Sequence, residues 1–112
     1  MSIGKILYSL FGNGHRENII FTVNSGESVT LNFKDSGTDS ATEKYYALTS
    51  QAKKVAITTN KVASITHIDG VELKYPRTLG TATMNTFSSG IEWSKITVRA
   101  DLDSTTFEVY AS

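Results

Sequence analysis

The sequence predicts a mainly β chain, folded as a single antiparallel β-sandwich of six to eight strands with a short N-terminal amphipathic helix. Three observations lead there. From Val55 onward, apolar and polar residues alternate in short runs, as they do in strands with one wet face. Two such runs flank the dipeptide Asp69-Gly70, the strongest short-range hairpin signal in the chain. The segments between runs are too short and too polar to supply the regular crossover helices of a parallel sheet.

The first segment differs from the rest. Ile3, Ile6, Leu7, Leu10 and Phe11 recur at helical spacing and share one face. Ser2 is a suitable N-cap, and Gly12 or Gly14 can end the helix in a left-handed conformation. Residues 1–14 therefore read as a helical arm, and 15–112 as the β-sandwich domain. A helix this short is marginal alone in water, so it needs a surface, either on its own domain or on a neighbour.

Glu17 to Val23 alternates, with Ile19, Phe21 and Val23 inward. Ser28 to Phe33 does the same with Val29, Leu31 and Phe33, and Asn24-Ser25-Gly26 between them reads as a hairpin loop. Ser40 followed by Glu43 matches a capping box, which makes Ala41 to Ala52 a candidate second short helix. Val55 and Ile57 mark the next inward row. In the Asp69-Gly70 hairpin a two-residue loop pairs Ile68 with Val71, Thr66 with Leu73 and Ser64 with Tyr75 on one face, and His67 with Glu72 and Ile65 with Lys74 on the other. Ile65 is the misfit on a polar face; the helix, a partner or a bulge in the strand would account for it. Pro76 points to a sheet edge or corner. Leu79 to Met84 reads as one irregular strand. Ile91 to Ala100 reads as another, with Ile96, Val98 and Ala100 inward and Trp93 outward. Thr105, Phe107, Val109 and Ala111 form the last inward row, with Tyr110 outward.

Composition narrows the function. One chain of 112 residues holds one core. Eleven basic residues balance eleven acidic ones, so counterion release gives no global drive toward nucleic acid, and no charge block marks a membrane surface. No cysteine is present, which excludes disulfides and thiolate metal sites. The N-terminal apolar run is too short for a secretory core or a membrane span, so synthesis in the cytoplasm is the expectation.

No catalytic constellation stands out. His67, Asp69 and Glu72 lie close together, but a cross-strand His–Glu pair is most simply a solvated contact, and the only other histidine is His15. Asp35, Asp39, Asp101 and Asp103 are loop carboxylates without the spacing of a calcium loop. No serine sits in a nucleophile elbow, and no phosphate-binding glycine loop is present. The expectation is a non-enzymatic protein with no metal and no cofactor. Of the aromatics, Trp93 and Tyr110 fall on outward faces and are the better contact candidates.

The run KKVAITTNKVASITHIDGVELKYP (Lys53 to Pro76), followed by IEWSKITVRADLDSTTFEVYAS, resembles small β-sandwich accessory proteins of tailed bacteriophages, which show an Ile-Thr-x-Ile-x-Gly hairpin and a Ser/Thr-rich terminal strand pair. The resemblance covers about half the chain. It implies a virion protein that decorates or cements the capsid, or serves in a collar or tail, made in the host cytoplasm. Its partners would be other virion proteins and copies of itself in a symmetric array, with no nucleic acid and no membrane. The expected subunit interface is Ile3, Ile6, Leu7, Leu10 and Phe11 of the arm with Ile65, Trp93 and Tyr110 of the sheets. The alternative is a carbohydrate-binding or adhesin-like module that uses exposed aromatics and the Asp-containing loops.

Overall fold

The computed structural model describes residues 18–33, 37–46 and 52–111, with side chains at all of these except 52–53 and 88–93. The expected N-terminal helix and the arm 1–14 lie outside the described residues. Nine strands form two sheets. They are β1 (Asn18–Val23), β2 (Ser28–Asn32), β3 (Glu43–Tyr45), β4 (Ala52–Thr59), β5 (Ala63–Ile68), β6 (Val71–Thr78), β7 (Asn85–Trp93), β8 (Lys95–Ala100) and β9 (Thr105–Ala111). One sheet has the order β1-β9-β4-β7, the other β3-β2-β8-β5-β6.

The topology is a set of nested antiparallel pairs around one turn. β5 pairs β6, β4 pairs β7, β2 pairs β8 and β1 pairs β9. A doubled strand, folded at Asp69-Gly70 and rolled so that successive pairs fall in alternate sheets, produces both orders. This is the jelly-roll plan, which leaves few sheet edges for its size. The turn has the geometry its sequence calls for: Asp69 lies at φ 52 and Gly70 at φ 80, as a type I′ loop requires. β3 is an addition to the roll. It lies parallel to β2, so the second sheet is mixed and not wholly antiparallel.

Four local readings give way to this plan. The turn at Asn24-Ser25-Gly26 does not make a hairpin: β1 pairs β9 in one sheet, and β2 pairs β8 in the other. Gly26, at φ 78, turns the chain across the gap; its N–H bonds to the Ala100 carbonyl at 2.8 Å, and Ser25 Oγ donates to the Leu102 carbonyl at 2.8 Å. The two arms of the roll are thus stitched corner to corner. The second short helix over Ala41–Ala52 is replaced by strand at Glu43–Tyr45 and from Ala52. Ser40 Oγ does accept the Glu43 N–H at 3.0 Å, half of a capping box. The free edge of β2 then takes the chain, through Thr30 N to Thr42 O at 2.8 Å and Tyr46 N to Asn32 O at 2.7 Å. Leu79 to Met84 is largely loop, held by Asn85, whose Oδ1 accepts from Gly80 N–H and whose Nδ2 donates to the Ile57, Gly80 and Thr83 carbonyls. Ile91 to Ala100 is two strands, broken at Ser94. Asp69 Oδ1 holds that break by accepting the N–H groups of Ser94 and Lys95 at 2.8 and 2.9 Å.

The core between the sheets contains the predicted inward rows. Phe21, Val23, Val29, Leu31, Phe33, Val55, Ile57, Ile96, Val98, Ala100, Phe107, Val109 and Ala111 are all buried, and Ile19 packs against them partly buried. Phe21 stacks on Phe107 at 5.3 Å, and Tyr46 meets Phe33 at 5.1 Å while donating its hydroxyl to the Val109 carbonyl at 2.8 Å. Every buried side-chain polar atom among the described residues has a partner. That agrees with the high cost of leaving such groups unpaired.

Candidate functional site: the outer face of the β1-β9-β4-β7 sheet

In this sheet the residues opposite to the core rows form a concavity of about 500 Å³. The register sets Asn18, Tyr110, Ala56 and Thr86 side by side across all four strands, with Glu108 and Thr58 in the next row. Ala56, Thr58 and Thr86 are small, so the middle of the sheet sinks. Tyr110, Lys54 and Met84 rise around it. Met84 is 72% exposed, and Ile20 stands 64% exposed at the β1 edge. Asn18 Nδ2 donates to Glu108 Oε2 at 3.0 Å, which leaves the other carboxylate oxygen toward the groove margin. The surface is an apolar shelf with a few polar groups, suited to an apolar or aromatic partner surface.

The expected interface residues separate. Tyr110 lies in the groove. Trp93 is the last residue of β7, paired with Ala52, and its side chain is outside the description. Ile3, Ile6, Leu7, Leu10 and Phe11 lie outside the described residues. Ile65 is not a surface residue: it is fully buried. The cause is a bulge. Ile65 pairs Val98 and His67 pairs Thr97, so Thr66 is an extra residue that reverses the alternation, putting Ile65 and Ile68 on the core side. β6 slips as well. His67 still faces Glu72 and Ile68 faces Val71, but Ile65 faces Arg77 and Ser64 faces Thr78. The slipped stretch contains Pro76, on the outermost strand of its sheet, where a missing N–H is tolerated.

Ile20, Ala56 and Met84 were not singled out by the sequence. Ile20 carried a signal, being an apolar residue on the wet side of an alternating strand. Met84 carried none, because a loop places it.

The other candidates are surface or structural groups. His67 Nε2 is 3.9 Å from Glu72 Oε2, with Glu72 largely in solvent, and its Nδ1 lies 2.8 Å from Thr66 Oγ1. No third ionisable group joins them among the described residues, where no cluster of three metal-ligating side chains occurs. Asp39 accepts the Tyr45 N–H, and Asp101 binds Arg99 Nε at 2.8 Å and Ser64 Oγ at 2.6 Å. These carboxylates hold corners.

No protein-family model and no curated protein sequence matches this chain. Among solved structures, the chain is similar to the solution NMR structure of a de novo designed double-stranded β-helix, with a TM-score of 0.50 and 16% sequence identity, over 87% of this chain and all of that one. At that identity the likeness concerns the fold alone, and it agrees with the nested strand pairs described above.

Proposed function

We propose that this chain is a non-enzymatic structural protein of a virion, which binds neighbouring capsid or tail subunits in a decorating, cementing or connecting role. The observation that carries the reading is the groove around Tyr110, Ala56 and Met84, an apolar surface on an otherwise polar molecule. The fold adds only an analogy, since the jelly roll serves viral capsid subunits, lectins and cupins alike. The resemblance of Lys53–Pro76 and of the terminal strands to phage accessory proteins selects the first of these. Burial of one large apolar side chain is worth about 1.5–3 kcal/mol, so a few per copy sustain a lattice. The arm residues Ile3, Ile6, Leu7, Leu10 and Phe11 add a second apolar surface.

The test is composition of purified particles. Mass spectrometry should find the chain in the virion, and Ala56→Arg should be missing from particles while remaining folded by circular dichroism. Removing residues 1–14 should also abolish incorporation. Normal incorporation of Ala56→Arg would rule the groove out. A second reading, a glycan-binding module, is favoured by one feature: the Tyr110 ring shares the groove with Asn18 and Glu108, which pairs an aromatic shelf with hydrogen-bonding groups. A glycan array, with and without calcium, separates it from the first.

A further inference from the structure

The two sheets end in four edge strands: β1 and β7 in one, β3 and β6 in the other. Three of these carry devices that stop an edge from pairing with another chain. β3 is only three residues long. β6 carries Glu72, Lys74, Pro76 and Arg77, and its register is broken. β7 contains Gly90 and Glu92 and slips against β4. β1 has no such device. Its six residues, NIIFTV, include no charge, glycine or proline. They pair with β9 in one unbroken register, from Asn18↔Tyr110 to Val23↔Thr105. Among the described residues β9 is its one sheet neighbour. A short, uncharged, β-branched and aromatic segment of this kind is a strong template for strand addition.

We propose that β1 is where two copies of this chain join, edge to edge and antiparallel, about a two-fold axis at Ile20. The two four-stranded sheets then become one of eight strands. Opposed residues in an antiparallel pair point to the same side, so a continuous sheet requires partners of matching parity, with the axis at Ile20 or Phe21. At Ile20 the exposed side chain meets its own copy, Asn18 faces Thr22 on the outer side, and Ile19 faces Phe21 on the core side. At Phe21, Ile20 would face Thr22 and leave much of its apolar surface wet. The chain's formal net charge of zero opposes none of this. An isologous contact uses up both β1 edges, so it closes at two copies. Asn18 belongs to the groove as well as to β1, so the contact sets two grooves in one continuous surface. The proposal stands independently of the virion reading.

Sedimentation equilibrium of the full chain, up to millimolar concentration, tests it. The expected mass is twice the 12.2 kDa of one chain. Position 20 meets itself, so Ile20→Lys and Ile20→Glu should each weaken the dimer by at least about tenfold through like charges placed directly opposite. An equimolar mixture of the two should return to the doubled mass. Val71→Lys, at an exposed position on the β6 edge, should leave the mass unchanged. A wild-type chain that stays at one-copy mass, or that grows beyond two copies, overturns the proposal. So does a charge-swapped pair that fails to recover, with both variants shown folded by circular dichroism.

Discussion

The two sheets share a core and differ on their outer faces. The outer side of β3-β2-β8-β5-β6 is knitted by its own polar groups: Thr30 Oγ1 with Thr97 Oγ1 at 3.1 Å, Asn32 Nδ2 to Glu43 Oε2 at 3.1 Å, and Ser64 through Asp101 to Arg99. The outer side of β1-β9-β4-β7 has fewer such bonds and holds the groove with Tyr110 and Met84 on its margin. A face whose polar groups are already paired gains little from a partner. An apolar face gains by leaving water. The asymmetry, more than any single residue, marks the first sheet as the side that meets other molecules.

Substitutions can break this contrast, beginning with the core that both sheets share. Ile65→Ala should lower unfolding free energy by about 2–5 kcal/mol, because the side chain is fully buried. Ile20→Ala, at an exposed position, should stay within about 0.5 kcal/mol at concentrations where the chain is monomeric. Urea denaturation of the two variants side by side decides whether Ile65 is core or contact surface. Next comes the turn at the centre of the roll. Asp69→Ala removes the acceptor for two backbone N–H groups at the β7–β8 break and should cost about 2 kcal/mol. Asp69→Asn keeps an acceptor oxygen and tolerance of positive φ, so it should lose less than half as much. An equal loss in both would show that charge, not geometry, holds the corner.

On the knitted face, Ser64→Ala removes the 2.6 Å bond to Asp101 and should cost about 1 kcal/mol in the same measurement. On the groove, Tyr110→Ser together with Met84→Ser should change stability least, by under about 1 kcal/mol for the pair, while lowering incorporation into particles. A large stability loss there would make the groove a structural surface and remove the contrast between the sheets.

Much of the core was legible in the chain. Alternation identified Phe21, Leu31, Ile57, Val98 and Phe107 as inward, because a strand's two-residue period is a local property that survives whatever it pairs with. Asp69-Gly70 was legible for the same reason, since few dipeptides accept two consecutive positive φ values. Ile65 was not, because a bulge is fixed by two neighbouring strands at once and leaves no mark in a single run. The candidate site was half visible: Tyr110 and Ile20 follow from strand parity, whereas Met84 reaches the groove only because Asn85 folds the preceding loop.

The sequence by itself determined the class of the molecule, its inward rows and its central turn, all consequences of backbone preference and side-chain period within a few residues. Tertiary structure decided which strands became partners. The Ser40–Glu43 signal was made locally but answered by the edge of β2, and the loop at Gly26 crosses between sheets because Ala100 and Leu102 are there to receive it. Hydrogen bonds between strands are satisfied by whichever neighbour the roll brings near, so pairing belongs to the whole chain and not to any stretch of it.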